Sequence, residues 1–293
     1  MSKKSTDLAT TENQDNDAKI EKAKQSLESL AEELDESLAT KVYQLAKLTS
    51  PEIKGMEGAS GVTVPQIVIN QPMSNSPSKP SASKPGELYT SEGTIVGESL
   101  DVIPVVSHPV RKKWGEDGLD CMSLDGEYGS KYGKCEDCPY SRFEKGSPPD
   151  CSPGYHFYTV TEDLDKLYRI EFIKSSAKAG KNIRQKTTPP ALWARSFTVG
   201  TEHHTGNNRN YYTFKTAPTG RETDEMAMKI CDALHEFFQA QYQASLEKQK
   251  QFAARLNSDG NQTITVDSSS GDKTDFSDAD DEGQSIKDFS DNL

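Results

Sequence analysis

Residues 121–151 read CMSLDGEYGSKYGKCEDCPYSRFEKGSPPDC and hold four of the chain's five cysteines. The spacing Cys121-x13-Cys135-x2-Cys138-x12-Cys151 limits what this segment can become. A C-x2-C pair lets one tight turn present two thiolates to a single ion, and two flanking cysteines complete a tetrahedral set for zinc. Four thiolates leave no open position for water, so the spacing predicts a structural zinc site rather than a catalytic one. Gly126, Gly129 and Gly133 permit the turns that a small lobe needs, and Pro139 stiffens the pair. An iron–sulfur cluster and free or redox-active thiols are the alternatives. His108 and His156 lie close enough in sequence to replace a flanking ligand, against the plainer reading of ordinary strand or surface histidines. A zinc lobe staples a loop that cannot bury a core by itself; it does not name a function.

The rest of the chain sets the context. Of 293 residues, 34 are basic and 46 acidic, a net charge of −12, and only 33% are hydrophobic. With a mean hydropathy of −0.77, folding is expected over part of the length, with the remainder solvated. No run of about 18 apolar residues is present, so no membrane-spanning helix is expected. The segment MSKKSTDLATTENQDNDAKIEK has a basic start but no apolar core and does not read as a secretory signal. A cytoplasmic location follows as the expectation, and with it reduced thiols rather than disulfides.

The organisation is predicted as follows. Residues 1–16 read as disordered. Residues 17–50 read as one amphipathic helix, because Leu27, Leu30, Leu34, Leu38, Val42 and Leu45 recur with a mean period of 3.6. That helix either docks on the protein's own core, mediates homo-oligomerisation or binds a partner. Residues 51–93 read as a linker with a short β segment at 61–72, and the folded domain is expected to begin near Gly93. Residues 94–110 read as one or two strands broken by prolines, and 154–163, 166–176, 192–204 and 210–218 as further strands, with 203–210 as a hairpin tip. Short strands at this spacing suggest a small barrel or sandwich over 94–222, with the zinc lobe inserted at 121–151. Residues 223–256 read as a helix that buries Cys231 as a small apolar group. The segment 257–293 carries ten acidic and two basic residues and reads as an acidic disordered tail. The fold class is thus mainly β with flanking helices, α+β overall.

No nucleophile elbow, phosphate loop, dinucleotide fingerprint or H-E-x-x-H motif is present, and an enzyme is not expected. His203 and His204 are adjacent, but exposed polar residues near a groove are the better reading than a catalytic pair. Charge is more informative. Between Lys166 and Arg221 there are eleven basic residues against Glu171 and Glu202 alone. Aromatic residues are interleaved with them. Cations that track phosphates beside rings that stack on bases are what single-stranded nucleic acid requires. The phosphate-contact candidates are Lys174, Lys178, Lys181, Arg184, Lys186, Arg195 and Arg209; the stacking candidates are Trp193, Tyr211, Tyr212 and Phe214. Alternation along a strand must turn some of these rings inward. Residues 175–190 carry four basic residues and no acid, and read as a mobile basic loop closing on phosphates. The acidic tail is expected to compete for that surface and to present its apolar tip to partner proteins.

The block formed by Cys121, Ser123, Asp125, Gly126, Gly129, Gly133, Cys135, Cys138, Pro139 and Cys151, followed by YHFYTV, resembles a set of tailed-phage and mobile-element proteins. The plan as a whole is similar to phage single-stranded DNA-binding proteins. That resemblance implies a small OB-like barrel with a zinc lobe and single-stranded DNA as ligand. It also implies replication or recombination proteins as partners of the tail, in a host cytoplasm. The four-cysteine set without a histidine, and the long N-terminal helix, depart from the phage pattern. The alternatives are a transcription or polymerase accessory protein acting by protein–protein contact, and a virion component.

Overall fold

The computed structural model describes residues 4–34, 36–49, 64–72, 77–116, 118–142, 149–187, 191–206 and 209–258. Two helices, α1 (Lys4–Glu32) and α2 (Glu36–Thr49), precede the strands β1 (Gln66–Ile69), β2 (Leu88–Thr90) and β3 (Ile95–Gly97). A long strand β4 (Ser99–Gly115) turns into β5 (Gly118–Ser123), followed by the short hairpin β6 (Tyr128–Gly129) and β7 (Gly133–Lys134). Then come β8 (Cys151–Thr161), β9 (Leu167–Ile173), α3 (Ala177–Lys186), β10 (Arg195–Gly206), β11 (Arg209–Glu222) and α4 (Glu225–Ser258). The main sheet runs β11-β10-β4-β8-β9-β1-β2-β3, with β5 also paired to β4. All its pairings are antiparallel except β1 with β9, where Gln66 and Ile67 align with Arg169 and Ile170.

The molecule is α+β, but the expected small closed barrel is absent: among the described residues the two ends of the strand order do not pair. Side chains instead join β10 and β11 to the segments that follow β1 and precede β2. The Gln71 carboxamide donates to the Tyr212 carbonyl at 2.7 Å and accepts from the Tyr212 N–H at 2.9 Å, imitating a strand partner. Beside it the Thr201 hydroxyl donates to the Gly86 carbonyl at 2.8 Å. Gly86 has φ +90°, and a Cβ there would stand 2.5 Å from the Tyr212 ring, so both backbone conformation and close approach require glycine.

The sheet separates two cores. On one side Ile103, Val105, Val106, Val160, Leu164 and Leu167 pack against Leu27 and Ala31 of α1, Val42 and Leu45 of α2, and Ile230, Leu234, Phe237 and Phe238 of α4. On the other, Phe157, Ile170, Phe172, Phe197 and Val199 close over Ala179 and Ile183 of α3. Helix α4 starts where Asp224 accepts the Ala227 N–H at 2.8 Å, an N-cap followed by an apolar stripe.

Several expectations are corrected. Helix covers residues 4–16, where disorder was expected, and α1 ends at Glu32 with α2 starting at Glu36, so there is no single helix over 17–50. Within 17–50, Leu27, Val42 and Leu45 are buried in the protein's own core and Leu30, Leu34 and Leu38 pack against it partly buried. The sheet begins at Gln66, not near Gly93: β1 adds to the edge of β9, and Leu88, Tyr89 and Thr90 of the expected linker are buried. Strand β4 is continuous through Pro104 and Pro109. It pairs with β10 over 99–102 and with β5 over 111–115, so between these β8 is its only strand partner among the described residues, and on its other edge a missing N–H costs no ladder bond. The linker residues 51–63 and 73–76, and the tail beyond Ser258, lie outside the described residues.

Candidate functional site

Cys121 lies on β5 and Cys151 opens β8, both aligned with Lys113 of the strand between them. The intervening loop folds back on itself. Asp125 accepts from the Ser123 hydroxyl and from the Glu127 and Tyr128 N–H groups at 2.8–3.0 Å, turning the chain into β6 and β7. The Ser141 hydroxyl meets the carbonyls of Cys135 and Cys138 at 2.6 and 2.8 Å, which fixes the C-x2-C turn. The outcome is that Cys121, Cys135, Cys138 and Cys151 all line one cavity of about 10 Å3, together with Arg111, Lys113 and Ser141. No histidine lines it. His108 and His156 are cross-strand neighbours on β4 and β8, and His108 stacks on Tyr242 of α4. The four thiols converge, but among the described residues no three His, Cys, Asp or Glu side chains stand in metal-ligating geometry. Burial pushes the Cys135 thiol up and the Cys151 thiol up to about 11, opposed by the Arg111 charge.

The rim of this lobe is charged and aromatic. Asp120 accepts from Lys113, from Lys131 at 2.6 Å and from the Tyr132 hydroxyl at 2.8 Å. Burial alone would raise the Asp120 carboxyl, but these donors outweigh it and hold it well below the usual carboxylate range. The Lys113 ammonium also lies 4.4 Å from the Tyr140 ring centre.

The expected basic loop at 175–190 is helix α3 over Ala177–Lys186. Ala179, Gly180 and Ile183 face the core, and this spacing leaves Lys178, Lys181, Arg184 and Lys186 exposed. Asn182 anchors the helix to β11 through the Thr216 carbonyl at 2.7 Å. Among the described residues no carboxylate pairs with any of these four cations, whereas Arg221 is paired with Asp101 and Glu162, and Lys112 with Glu171. Lys174 precedes the helix with its ammonium 4.5 Å from the ring centre of Trp114. Arg184 lies 4.9 Å from the Tyr155 ring centre. Arg195 reaches the Lys186 carbonyl at the helix end, at 3.5 Å. Arg209 opens β11, and its side chain lies outside the described residues.

The aromatic candidates do not form one platform. Trp193 packs against the α4-side core and tilts over His235 at 4.7 Å. Phe214 packs on the α3-side core, edge-on to Phe172 at 5.2 Å. Both rings are partly buried and packed on a core, as strand alternation requires of some of them. Tyr212 fills the seam beside Gly86. Tyr211 alone is 40% exposed, stacked on His204 at 5.2 Å. His203 and His204 are successive residues of β10 and turn to opposite faces, so they form no catalytic pair. Sequence reasoning missed Trp114, which is 42% exposed at the end of β4. The signal was there: WGEDG places a tryptophan at a turn, where strand alternation no longer turns a side chain into the core.

Comparison with protein-family models, with curated proteins and with solved structures returned no match.

Proposed function

We propose that the chain is a non-enzymatic protein that binds single-stranded DNA through the exposed face of α3, with a structural zinc ion in the cysteine lobe. The observation that carries the reading is the row Lys178, Lys181, Arg184 and Lys186, four exposed cations without carboxylate partners among the described residues, on a chain of net charge −12. Such a row, about 15 Å long for ten helical residues, suits a phosphate backbone. The strand order also supports an OB-type ancestry. β4, β8 and β9 form a meander, α3 follows, and β10 of the final hairpin returns to β4; β1 stands where such a barrel would close.

Salt dependence tests the reading. A labelled oligonucleotide should bind at low ionic strength, with affinity falling steeply as salt rises. Reversing Arg184 and Lys186 to Glu should weaken binding and flatten the salt slope by about 0.7 for each phosphate that is no longer neutralised. Absence of binding at low salt would sink it. The acidic segment 257–293, all but its first two residues outside the described part, competes for the same face in this reading. Its deletion should tighten binding, most clearly at low salt.

The donor chemistry of the lobe fits zinc: four thiols share one small cavity with Arg111, whose charge favours thiolate. When bound, the ion closes the lobe and leaves no position for water. Metal analysis should find about one zinc per chain by this stoichiometry, and Cys138→Ser should lower the melting temperature. Metal-free protein of equal stability would overturn the assignment.

A further inference from the structure

We infer that Trp114 is the base-stacking platform beside the α3 cations, and that it favours unpaired bases over a duplex. The inference rests on the nucleic-acid reading above and adds to it the residue that reads the strand's bases. The chain has two tryptophans. Trp193 is packed between the sheet and α4. Trp114 belongs to no core cluster of the described residues and keeps 42% of its surface exposed. A lone exposed ring is ordinary on a protein surface and needs a second observation to mark a site.

Its neighbour supplies one. The Lys174 ammonium lies 4.5 Å from the ring centre, and Lys174 holds φ +56°, a left-handed conformation uncommon for a residue with a side chain. Backbone strain of this kind persists where the surrounding structure enforces it and collects at functional positions. A 3-10 turn over Lys174–Ser176 leads into α3, where Lys178 lies in the first helical turn and Lys181 in the second. A π-face and a row of cations therefore stand side by side, as a nucleotide's base and phosphates do. Bases in a duplex are already stacked and offer no free face, while a single strand offers one at every base.

The test uses the full-length chain with Trp193→Phe, so that Trp114 is the only fluorophore of its kind. Titration with oligothymidylate at low salt should quench Trp114 emission to saturation, and a duplex of equal length should leave it unchanged. Trp114→Ala should weaken oligothymidylate binding roughly 5- to 150-fold with the salt slope and melting temperature unaltered, and Trp114→Phe should recover part of the loss. If Trp114→Ala lowers the melting temperature, the emission titration decides. Tight, salt-sensitive binding with no emission change, and no loss in Trp114→Ala, overturns the platform while leaving the nucleic-acid reading in place. Equal quenching by duplex overturns the selectivity. No binding of any nucleic acid overturns both.

Discussion

Gly154 lies where β8 and β9 approach so closely that a Cβ would fall 2.3 Å from the Phe172 carbonyl oxygen and 2.9 Å from the Ile173 Cα. Both obstacles are backbone, which cannot swing aside. Gly154→Ala should therefore cost about 1–3 kcal/mol, as overpacking does, read as a lower denaturation midpoint at unchanged slope. The same logic separates two aromatic neighbours on β11. Phe214→Ala removes a ring held against Phe172 and should cost about 3 kcal/mol. Tyr211→Ala, at an exposed position, should stay within about 0.5 kcal/mol. Equal losses in the two would contradict the alternation that sends Phe214 inward and Tyr211 outward. That alternation was legible in NYYTFKTAP; which of its two faces would be covered was not, because the cover comes from α3, a segment that read as a loop.

At the scale of elements, Gln71 makes two of the hydrogen bonds of the seam between β11 and the segment that follows β1. Gln71 satisfies both the N–H and the carbonyl of Tyr212. Gln71→Ala should leave both groups without that partner and cost about 1–3 kcal/mol. Amide exchange should accelerate at Tyr212 and over β1 and β2, and stay unchanged in β4 and β8. Uniform acceleration would mean that the seam is not a local closure. Helix α3 shows why its own sequence misled. AKAGKNIRQK carries Gly180 mid-helix and few apolar residues, so propensity and composition argue for a loop. Tertiary packing decides otherwise: Gly180 permits close approach to Phe172 and Tyr155, where a Cβ would stand 2.9 and 3.0 Å away. Ala179 and Ile183 then complete the core.

For the whole molecule, the sheet face beneath α4 carries a pH signature. Burial, with smaller contributions from His235 and Arg184, lowers His108 to about 3. Burial likewise lowers His156 to about 3, with Arg169 and Lys112 acting in the same direction and Glu171 opposing. Neither Nε2 atom has a hydrogen-bond partner among the described residues. Both rings are neutral in the folded state, while the unfolded chain takes up protons below the ordinary histidine value near 6.5. Their contribution to stability is thus complete above about pH 6.5 and declines as pH falls from there toward 3. Burial raises Glu171, but the charges of Lys112 and Arg169 and the hydrogen bond from Lys112 outweigh it and lower the carboxyl, adding a loss that begins only in the carboxylate range. Replacing His156 by Gln should flatten the melting-temperature profile between pH 6.5 and 4.5; an unchanged profile there would contradict a buried neutral imidazole. By itself the sequence determined the pieces: the four-cysteine lobe, the strands around it, the C-terminal helix and the local excess of positive charge. Each is a pattern of spacing or composition within a few tens of residues. Only the tertiary structure decided which residues are paired, covered or left open. The linker joined the sheet because β9 had a free edge, Arg221 lost its free charge to Asp101 and Glu162, and Trp193 and Trp114 took opposite fates. Pairing, burial and exposure depend on what arrives from elsewhere in the chain, and local sequence does not encode that arrival.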